Sequence, residues 1–311
     1  MHLSLPIFVS MSITVNQVAK LTMHTGSIYS LAKGENEKYF FSGGSEGIVA
    51  KWDVDALNKP AAVAKVDGQI FALLFLPEKN HLIIGTMSGG LHVIDLNEKK
   101  EIHYITFHEL SIFDIKVHEG KIFVCSKDGT LSIWNAESYQ LEKVITVSDQ
   151  ALRMIAFHPK KNDAAIGSSD NKIYLLDADK RQITSTLEGP DNSVFSVCYN
   201  DDGTELIAGS RDAQLYVYDS IQQRLKFQIK AHLYTINHLT MILENKFLAS
   251  ASRDKTIRIW SSENFELQRS LDKEKYDGHI NSVNKLLWLH SQNFLISASD
   301  DRSIIVWKIV N

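Results

Sequence analysis

The chain has 311 residues, enough for one large domain or two smaller ones, and its 44% hydrophobic and 23% charged residues are typical of globular proteins. The formal net charge of −4 disfavours nucleic acids and anionic membranes as partners, because both attract basic surfaces. Two cysteines are too few for a disulfide framework, and no apolar run reaches the roughly 18 residues of a membrane-spanning helix.

The N-terminal segment contains a short apolar run at residues 3–9. This run lacks the basic residues and the small-residue cleavage site of a secretory signal, so we expect a cytoplasmic protein. Met11 is an alternative start site. We expect residues 1–11 to be an N-terminal extension, either ordered or disordered, and residues 12–311 to form a single domain.

From residue 24 to the C-terminus, one sequence unit recurs seven times. Each unit has a strand-like segment with a large apolar residue at a fixed place, here called the Trp position, and successive Trp positions are 40 to 47 residues apart. This spacing is expected for units of four short strands and their turns. The units end near residues 53, 95, 135, 177, 219, 261 and 308. The Trp positions are Trp52, Ile94, Trp134, Leu176, Tyr218, Trp260 and Trp307.

Other positions recur in register with the Trp position. A histidine stands 28 residues earlier in three units and 26 residues earlier in a fourth, at what we call the His position. Aliphatic residues stand four and seven residues after the His position in all seven units. Six residues before the Trp position, five units have Asp, which favours a tight turn between two strands. The histidines are His24, His108, His232 and His279, and the turn residues are Glu46, Ser88, Asp128, Asp170, Asp212, Asp254 and Asp301.

This combination of histidine, turn Asp and Trp, the last sometimes followed by Asp, resembles the WD repeat (WD40) family over about residues 12–311. The resemblance implies an all-β fold, a seven-bladed β-propeller in which each repeat supplies one four-stranded blade. The last repeat ends on its third strand, and residues 13–21 offer a spare strand. The resemblance implies that this N-terminal strand completes the last blade and closes the ring, which removes an exposed sheet edge.

The resemblance also implies a buried hydrogen-bond relay within a blade, formed by the histidine, a Ser or Thr, the turn Asp and the Trp. An indole N–H only donates, a carboxylate only accepts, and His and Ser do both. Blade 1 has Glu46 in place of Asp, and blades 2, 4 and 5 lack both His and Trp, so we expect those three blades to rely more on apolar packing. The complete relays are His108, Ser126, Asp128 and Trp134; His232, Ser250 or Ser252, Asp254 and Trp260; and His279, Ser297 or Ser299, Asp301 and Trp307.

Two other patterns favour structural roles over chemistry. Residues 43–47 match the Gly-x-Ser-x-Gly motif of a nucleophile elbow, but that motif requires a following helix and residues 48–52 are predicted to be a strand. The remaining histidines lack metal-ligand spacing. Cys125 and Cys198 fall on blades that are not adjacent, so we expect free, buried thiols. We predict no catalytic residue, no metal and no cofactor.

In WD propellers, partners often bind the top face, at positions three and five residues after the His position and one residue before the turn Asp. Aromatic and Arg side chains, which are common in interface hot spots, occupy several of these positions here. A basic arc of Lys127, Arg153, Arg211 and Arg253 favours an acidic or phosphorylated partner segment. The alternative is that the aromatic residues only pack at the channel mouth and the basic side chains are solvated. The expected contact residues are Tyr29, Phe71, Phe113, Lys127, Arg153, Phe195, Arg211, Asn237, Arg253 and Asn284.

We therefore expect a non-catalytic scaffold for protein–protein interactions that binds a protein or peptide on its top face. The fold unit is expected to be monomeric, alone or within a larger complex, and the connection at residues 272–277 should border the same face. The alternative is a propeller hydrolase or lyase with a site in the central channel, which would need converging acid–base or metal groups. The inward-facing residues that the pattern identifies are mostly Ser, Asn and Phe with one Arg, which disfavours this alternative.

Overall fold

The structure, a computed structural model, describes residues 13–311. These residues form seven four-stranded antiparallel sheets, which are the blades of a propeller. The predicted N-terminal extension, residues 1–11, lies outside the described residues, as does Ser12.

The first strand, β1 (Thr14–Leu21), precedes blade 1. Blade 1 comprises β2 (Ile28–Lys33), β3 (Tyr39–Gly44), β4 (Ile48–Asp53) and β5 (Ala61–Lys65). Blade 2 comprises β6 (Ile70–Leu76), β7 (His81–Thr86), β8 (Leu91–Asp95) and β9 (Lys100–Ile105). Blade 3 comprises β10 (Ile112–His118), β11 (Lys121–Ser126), β12 (Thr130–Asn135) and β13 (Leu141–Thr146). Blade 4 comprises β14 (Leu152–Phe157), β15 (Asp163–Ser168), β16 (Ile173–Asp177) and β17 (Gln182–Leu187).

Blade 5 comprises β18 (Val194–Tyr199), β19 (Glu205–Ser210), β20 (Gln214–Asp219) and β21 (Arg224–Lys230). Blade 6 comprises β22 (Ile236–Ile242), β23 (Phe247–Ser252), β24 (Ile257–Ser261) and β25 (Leu267–Leu271). A one-turn helix, α1 (Lys273–Tyr276), connects it to blade 7, which comprises β26 (Val283–Leu289), β27 (Phe294–Ser299) and β28 (Ile304–Val310). The first strand of each blade lies innermost, around a central channel.

Adjacent blades pack face to face, and each interface between them has its own apolar core. The aliphatic residues that recur after the His position supply much of this core, because every inner strand contacts both neighbouring blades. A small residue in the second strand permits the close approach. A Cβ atom added to Gly43 would lie 2.6 Å from Cγ2 of Ile70 in the next blade, and one added to Gly209 would lie 2.6 Å from Cγ2 of Ile236.

The ring is closed by the N-terminal strand, as predicted. Strand β1 pairs antiparallel with β28, from Thr14 opposite Val310 to Leu21 opposite Ile304, and so becomes the fourth strand of blade 7. Val15 and Leu21 are buried against the neighbouring blades, whereas Val18 points outward and is half exposed. Blade 7 is therefore built from both ends of the described chain.

The innermost strand of every blade carries a β-bulge at the same place. In blade 1, Ile28 pairs with Gly44 and Ser30 with Gly43, so Tyr29 is the extra residue. A bulge re-aims the side chain of its extra residue relative to the ladder. The bulged residues are Tyr29, Phe71, Phe113, Arg153, Phe195, Asn237 and Asn284.

The two thiols are free, as predicted. Cys125 lies on β11 and Cys198 on β18, two blades apart, and burial raises the pKa of the Cys198 thiol to about 12. Within residues 13–311, the helical content is too short to give a segment that could cross a membrane.

The closure can be tested with a pair of substitutions on β1. Val15→Asp places a charge in the core between blades 6 and 7 and should lower the free energy of unfolding by about 3 kcal/mol or more. Val18→Asp makes the same chemical change on the exposed face of the same strand and should cost no more than about 0.5 kcal/mol. Urea unfolding followed by circular dichroism measures both values. Equal losses from the two variants would contradict the role of β1 in closing the ring.

Candidate functional site

The hydrogen-bond relay is complete in blades 6 and 7. In blade 6, Trp260 Nε1–H donates to Ser250 Oγ at 2.9 Å, Ser250 Oγ lies 2.7 Å from His232 Nε2, and His232 Nδ1 lies 2.9 Å from Asp254 Oδ2. Because the indole only donates and the carboxylate only accepts, a neutral His232 donates from Nδ1 and accepts the Ser250 proton at Nε2. Ser250 is therefore the relay serine, and Ser252 is not. The matching set in blade 7 is Trp307, Ser297, His279 and Asp301.

Blade 3 contains the relay with a different serine from the one predicted. Trp134 Nε1 and His108 Nε2 each lie 2.8 Å from Ser132 Oγ, and His108 Nδ1 lies 2.8 Å from Asp128 Oδ2. The prediction of Ser126 is wrong, since its hydroxyl faces the Leu110 carbonyl at 3.4 Å. Ser132 lies on β12, directly opposite Val124 of β11, which occupies the usual serine place. The Ser132 hydroxyl therefore takes the place of the usual relay hydroxyl, but from the adjacent strand.

Blade 1 keeps the relay with a longer acid. His24 Nδ1 contacts Glu46 Oε1, and His24 Nε2 and Trp52 Nε1 both reach Ser42 Oγ, at 2.7 and 2.8 Å. The second carboxylate oxygen, Glu46 Oε2, is buried without a hydrogen-bond partner among residues 13–311. Asp in the other blades uses its second oxygen to hold the turn, so Glu46 fills the relay but holds its turn less completely.

Blades 4 and 5 secure the turn Asp by another route. The hydroxyl of Tyr174, two residues before the Trp position, donates to Asp170 Oδ2 at 2.5 Å, and Ser148 Oγ donates to the same oxygen at 2.6 Å. In blade 5, Tyr216 donates to Asp212 Oδ2 at 2.9 Å. Blades 4 and 5 do lack the His and Trp relay. The expectation that they rely more on apolar packing is incomplete, because it did not include these hydrogen bonds to the turn Asp.

The relay fixes which loops share one face of the ring. Asp254 Oδ2 accepts a hydrogen bond from the Leu233 backbone N–H as well as from His232, and Asp301 does the same for Ile280 N–H. The turn between the second and third strands is thereby tied to the connection that enters the blade. We call the face formed by these turns and connections the top face.

Ionisation of the relay acid follows from these contacts. Burial opposes the charge on Asp254, but the hydrogen bonds from His232, Thr256 and Leu233 N–H outweigh it and hold the Asp254 pKa well below its ordinary value of 3.8. Burial lowers the pKa of His232 below 6.5, although Asp254 opposes this. A neutral His232 and an ionised Asp254 are the states that the relay requires.

The seven bulged residues converge on one pocket at the channel mouth of the top face. Its volume is about 260 Å³, and all seven bulged side chains line it. Tyr29 packs edge-on against Phe71 with ring centroids 4.9 Å apart, and Phe71 packs against Phe113 at 5.7 Å. One side of the pocket is therefore an aromatic wall that spans blades 1 to 3.

Arg153 of blade 4 lines the pocket between the aromatic rings of blades 3 and 5. Its guanidinium carbon lies 4.4 Å from the Phe113 ring centroid and 4.5 Å from that of Phe195, so the cation is sandwiched between two rings. Its Nε donates to Ser169 Oγ at 2.7 Å. Burial, together with the charge of Arg211, lowers the Arg153 pKa to about 10, so Arg153 remains a cation at neutral pH.

The opposite side of the pocket is polar. Asn237 Nδ2 donates to Ser282 Oγ and to the Val283 carbonyl, both at 2.9 Å. Asn284 Nδ2 donates to the Ile28 carbonyl at 3.0 Å, which links blade 7 to blade 1. The pocket thus joins an apolar half to a half of fixed amides and carbonyls, a common pattern in binding sites.

Comparison with known proteins identifies the family. The model of the family described as "WD domain, G-beta repeat" (WD40) matches residues 15–53, 99–135, 181–219, 223–261 and 271–308, which together make up more than half of the chain. The chain belongs to the WD40 repeat family. WD40 propellers typically serve as scaffolds for protein interactions.

Two curated relatives match parts of the chain. "Cilia- and flagella-associated protein 57 A" of Tetrahymena thermophila is 30% identical over 142 residues, 39% of this chain and 11% of that protein. "Echinoderm microtubule-associated protein-like 4" of Homo sapiens is 25% identical over 167 residues, 50% of this chain and 16% of that protein. The matched region is therefore a small fraction of either relative.

The fold of a solved WD40 structure also matches. The crystal structure of the WD40 beta propeller domain of Doa1 superposes with a TM-score of 0.83, covers 94% of this chain and 96% of that one, and is 18% identical. At this identity the likeness concerns the fold alone.

Of the four residues in the predicted basic arc, three are exposed and the fourth lines the pocket. Lys127, Arg211 and Arg253 are exposed on the top face, one in each of blades 3, 5 and 6. Arg153 of blade 4 lies inside the pocket instead of beside them. We call the three exposed residues the basic rim.

Sequence reasoning missed the exposed apolar residues of the top face. Leu233, Tyr234 and Ile280 immediately follow relay histidines and are 71%, 61% and 54% exposed. The relay Asp holds the backbone N–H of Leu233 and of Ile280, while the three side chains are exposed. The signal was present in the sequence, as two apolar residues after His232 and one after His279. The connection at residues 272–277 lies beside them, since Asp272 and Lys273 share a cavity of about 370 Å³ with Ile280.

Sequence reasoning also missed charged groups inside the channel. Asp114, Lys116, His238 and Lys285 lie on inner strands, one and three residues beyond the bulge. The expectation that the inward positions offer mostly Ser, Asn and Phe is therefore wrong. That expectation considered only the bulged position of each inner strand and not the residues that come after it.

The relay in blade 3 predicts different effects for two serines. Ser132→Ala leaves the Trp134 indole N–H and His108 Nε2 buried without partners and should lower the free energy of unfolding by about 2 kcal/mol. Ser126→Ala removes long hydrogen bonds and should cost less than about 1 kcal/mol. Chemical denaturation measures both. The reverse order would restore Ser126 as the relay serine.

Acid should destabilise the propeller. Burial lowers the pKa of His158, His232 and His238, so below about pH 6.5 the unfolded chain binds more protons than the folded one. Each such histidine removes up to about 1.4 kcal/mol of unfolding free energy per pH unit in this range, and the Asp254 contribution is lost only below its ordinary pKa of 3.8. Urea unfolding from about pH 7.5 to about pH 5 measures the slope. His232→Gln should reduce this slope, and an unchanged slope would contradict the neutral state of His232.

Proposed function

We propose that this WD40 propeller is a non-catalytic scaffold that binds a protein or peptide partner on its top face. The observation that carries the proposal is the convergence of seven bulged residues, one from each blade, on a single pocket bounded by aromatic rings and Arg153. Aromatic and Arg side chains in a preformed pocket supply large contact area at a small entropic cost. The alternative, that these rings only fill the channel mouth, leaves the exposed apolar residues beside the pocket without a role.

The chemistry of the face favours a partner segment that combines acidic and apolar groups. Lys127, Arg211 and Arg253 lie exposed around the pocket, so an acidic or phosphorylated residue would find cations there. Leu233, Tyr234 and Ile280 add exposed apolar surface in blades 6 and 7, where large hydrophobic residues mark docking sites. The proposed contact residues are the seven bulged residues and the basic rim.

The remaining parts of the proposal concern the setting of the protein. We propose that the propeller, residues 12–311, acts in the cytoplasm as a monomeric unit, alone or within a complex. The net charge of −4 supports a protein partner over nucleic acid or membrane.

The proposal predicts that loss of the basic rim weakens partner binding without unfolding the ring. Arg211→Ala with Arg253→Ala should weaken binding at least about tenfold, because both cations are exposed on the proposed contact surface. The matched control is Arg224→Ala with Lys230→Ala, which removes the same charge from the exposed outer strand β21. Adding Phe71→Ala, Phe113→Ala and Phe195→Ala to the rim variant should abolish binding.

The measurement has two stages. Partners captured from a lysate of the source cells by the wild-type chain, and not by the rim variant, are identified by mass spectrometry. The affinity of each purified partner is then measured for the wild type, the rim variant and the outer-strand control. Equal affinity for the wild type and the rim variant would place the binding site elsewhere.

A further inference from the structure

Charged residues lie where the top-face pocket meets a second cavity of the central channel. Met154, His238 and Lys285 line both the top-face pocket and a lower cavity of about 400 Å³, so they mark the boundary between the two. Lys116 lines the lower cavity, and Asp114 lies behind them. We call these five residues the channel waist.

Charge at the waist is unbalanced. Asp114 Oδ1 lies 3.6 Å from Lys116 Nζ and 3.9 Å from Lys285 Nζ, so one carboxylate faces two ammonium groups. The other oxygen, Oδ2, accepts the Ile155 backbone N–H at 3.1 Å. The side chain of Lys285 is only 15% exposed, and its distance to Asp114 is too long for a direct hydrogen bond. Surplus positive charge away from water is costly unless an anion balances it.

His238 adds a donor without an acceptor. The residue is 6% exposed, and its Nδ1 accepts a long hydrogen bond of 3.4 Å from the Leu286 backbone N–H. A neutral imidazole that accepts at Nδ1 carries its proton on Nε2. Within residues 13–311, His238 Nε2 has no hydrogen-bond partner. His238, which lines both cavities, therefore carries a buried N–H with no acceptor among the described residues.

The protonation states of the waist agree with this picture. Burial and the charges of Lys285 and Lys116 lower the pKa of His238 well below 6.5, so the ring is neutral at neutral pH. Burial, assisted by the Lys116 charge and opposed by Asp114, lowers the pKa of Lys285 to about 8, so most of Lys285 remains charged. The pair offers a neutral N–H donor and an ammonium group side by side.

We propose that the channel waist binds an oxyanion, a carboxylate or phosphate group, between His238 Nε2–H and the Lys285 ammonium, with Lys116 adding positive charge. An oxyanion provides the acceptor that His238 lacks and the negative charge that the two lysines lack. This goes beyond the proposed docking of a partner and does not depend on it. The group can be a free small anion, or it can belong to an acidic or phosphorylated side chain that enters through the top-face pocket.

Titration with inorganic phosphate tests the site in the full chain. In a long-range proton–nitrogen NMR spectrum, the Nε2 resonance of His238 should shift and saturate with phosphate in the millimolar range. Lys285→Met should weaken this binding at least about tenfold. Lys230→Met makes the same change on the exposed outer strand β21 and should titrate like the wild type. An Nε2 resonance that does not move in the wild type, or equal affinity in the wild type and Lys285→Met, overturns the proposal.

Stability separates a ligand-binding lysine from a structural one. Lys285→Met removes a buried surplus charge while Asp114 keeps Lys116, so in phosphate-free buffer the variant should melt at or above the wild-type temperature. A clear fall in its melting temperature would assign Lys285 a structural role as the partner of Asp114 and overturn the proposal.

Peptide probes distinguish the two sources of the anion. A short phosphoserine peptide and its unphosphorylated counterpart are titrated beside free phosphate. A His238 shift with the phosphopeptide assigns the site to a partner side chain, whereas a shift with free phosphate alone assigns it to a small free anion. The variant Arg211→Ala with Arg253→Ala should keep free-phosphate binding, because both residues lie outside the waist. Failure of top-face docking and failure of the anion site therefore give different results.

Discussion

The pairing of β1 with β28 is the constraint on which the rest of the ring depends. Each blade buries its two faces against its neighbours, so a ring lacking one outer strand would leave the last blade with an exposed sheet edge. Pairing the first described strand with the last covers the edge of β28 and joins the two ends of the described chain by main-chain hydrogen bonds. The channel, the top-face pocket and the waist all require a closed ring, because each is lined by residues from several blades.

The hydrogen-bond relay works at a smaller scale, within a blade. It ties the turn of a blade to the connection that enters it, and so sets the height and direction of the loops around the top face. The blades reach this end by different means, since Glu46 replaces Asp in blade 1 and Tyr174 replaces the His and Trp in blade 4. Blades 1 and 3 to 7 share a hydrogen-bonded acid in the turn, whereas blade 2 has Ser88 there. The relay is therefore better described by the position of its oxygen atoms than by its residue types.

Much of the fold could be predicted from the sequence. Because the repeat occurs seven times, each of its positions can be compared between seven units. The period follows from positions counted along the chain, whereas the closing strand and the face that holds Tyr29 and its equivalents follow from the resemblance to WD repeats. Ser132 could not be found in this way. It reaches the relay from the adjacent strand β12, at a repeat position that is not the usual position of the relay serine. Contacts across strands depend on register and on side-chain direction, which a count along one strand does not contain.

The waist shows the same limit more strongly. Asp114, His238 and Lys285 come from three different blades and share one repeat position, one residue beyond the bulge, where the other four blades have Ser30, Ala72, Met154 and Ser196. A repeat pattern reveals what the units have in common, whereas a site at the centre of the ring is made from what they do not share. Only the closed ring shows that these departures meet.

The bulge in each inner strand separates two demands on the chain. Since the bulged residue is additional to the ladder, its side chain can change without moving the paired residues on either side. The fold thus presents seven side chains around one pocket that lie outside the strand ladders and outside the inter-blade cores. Such a ring lends itself to diversification: a library randomised at the seven bulged residues would sample new binding specificities on an unaltered scaffold.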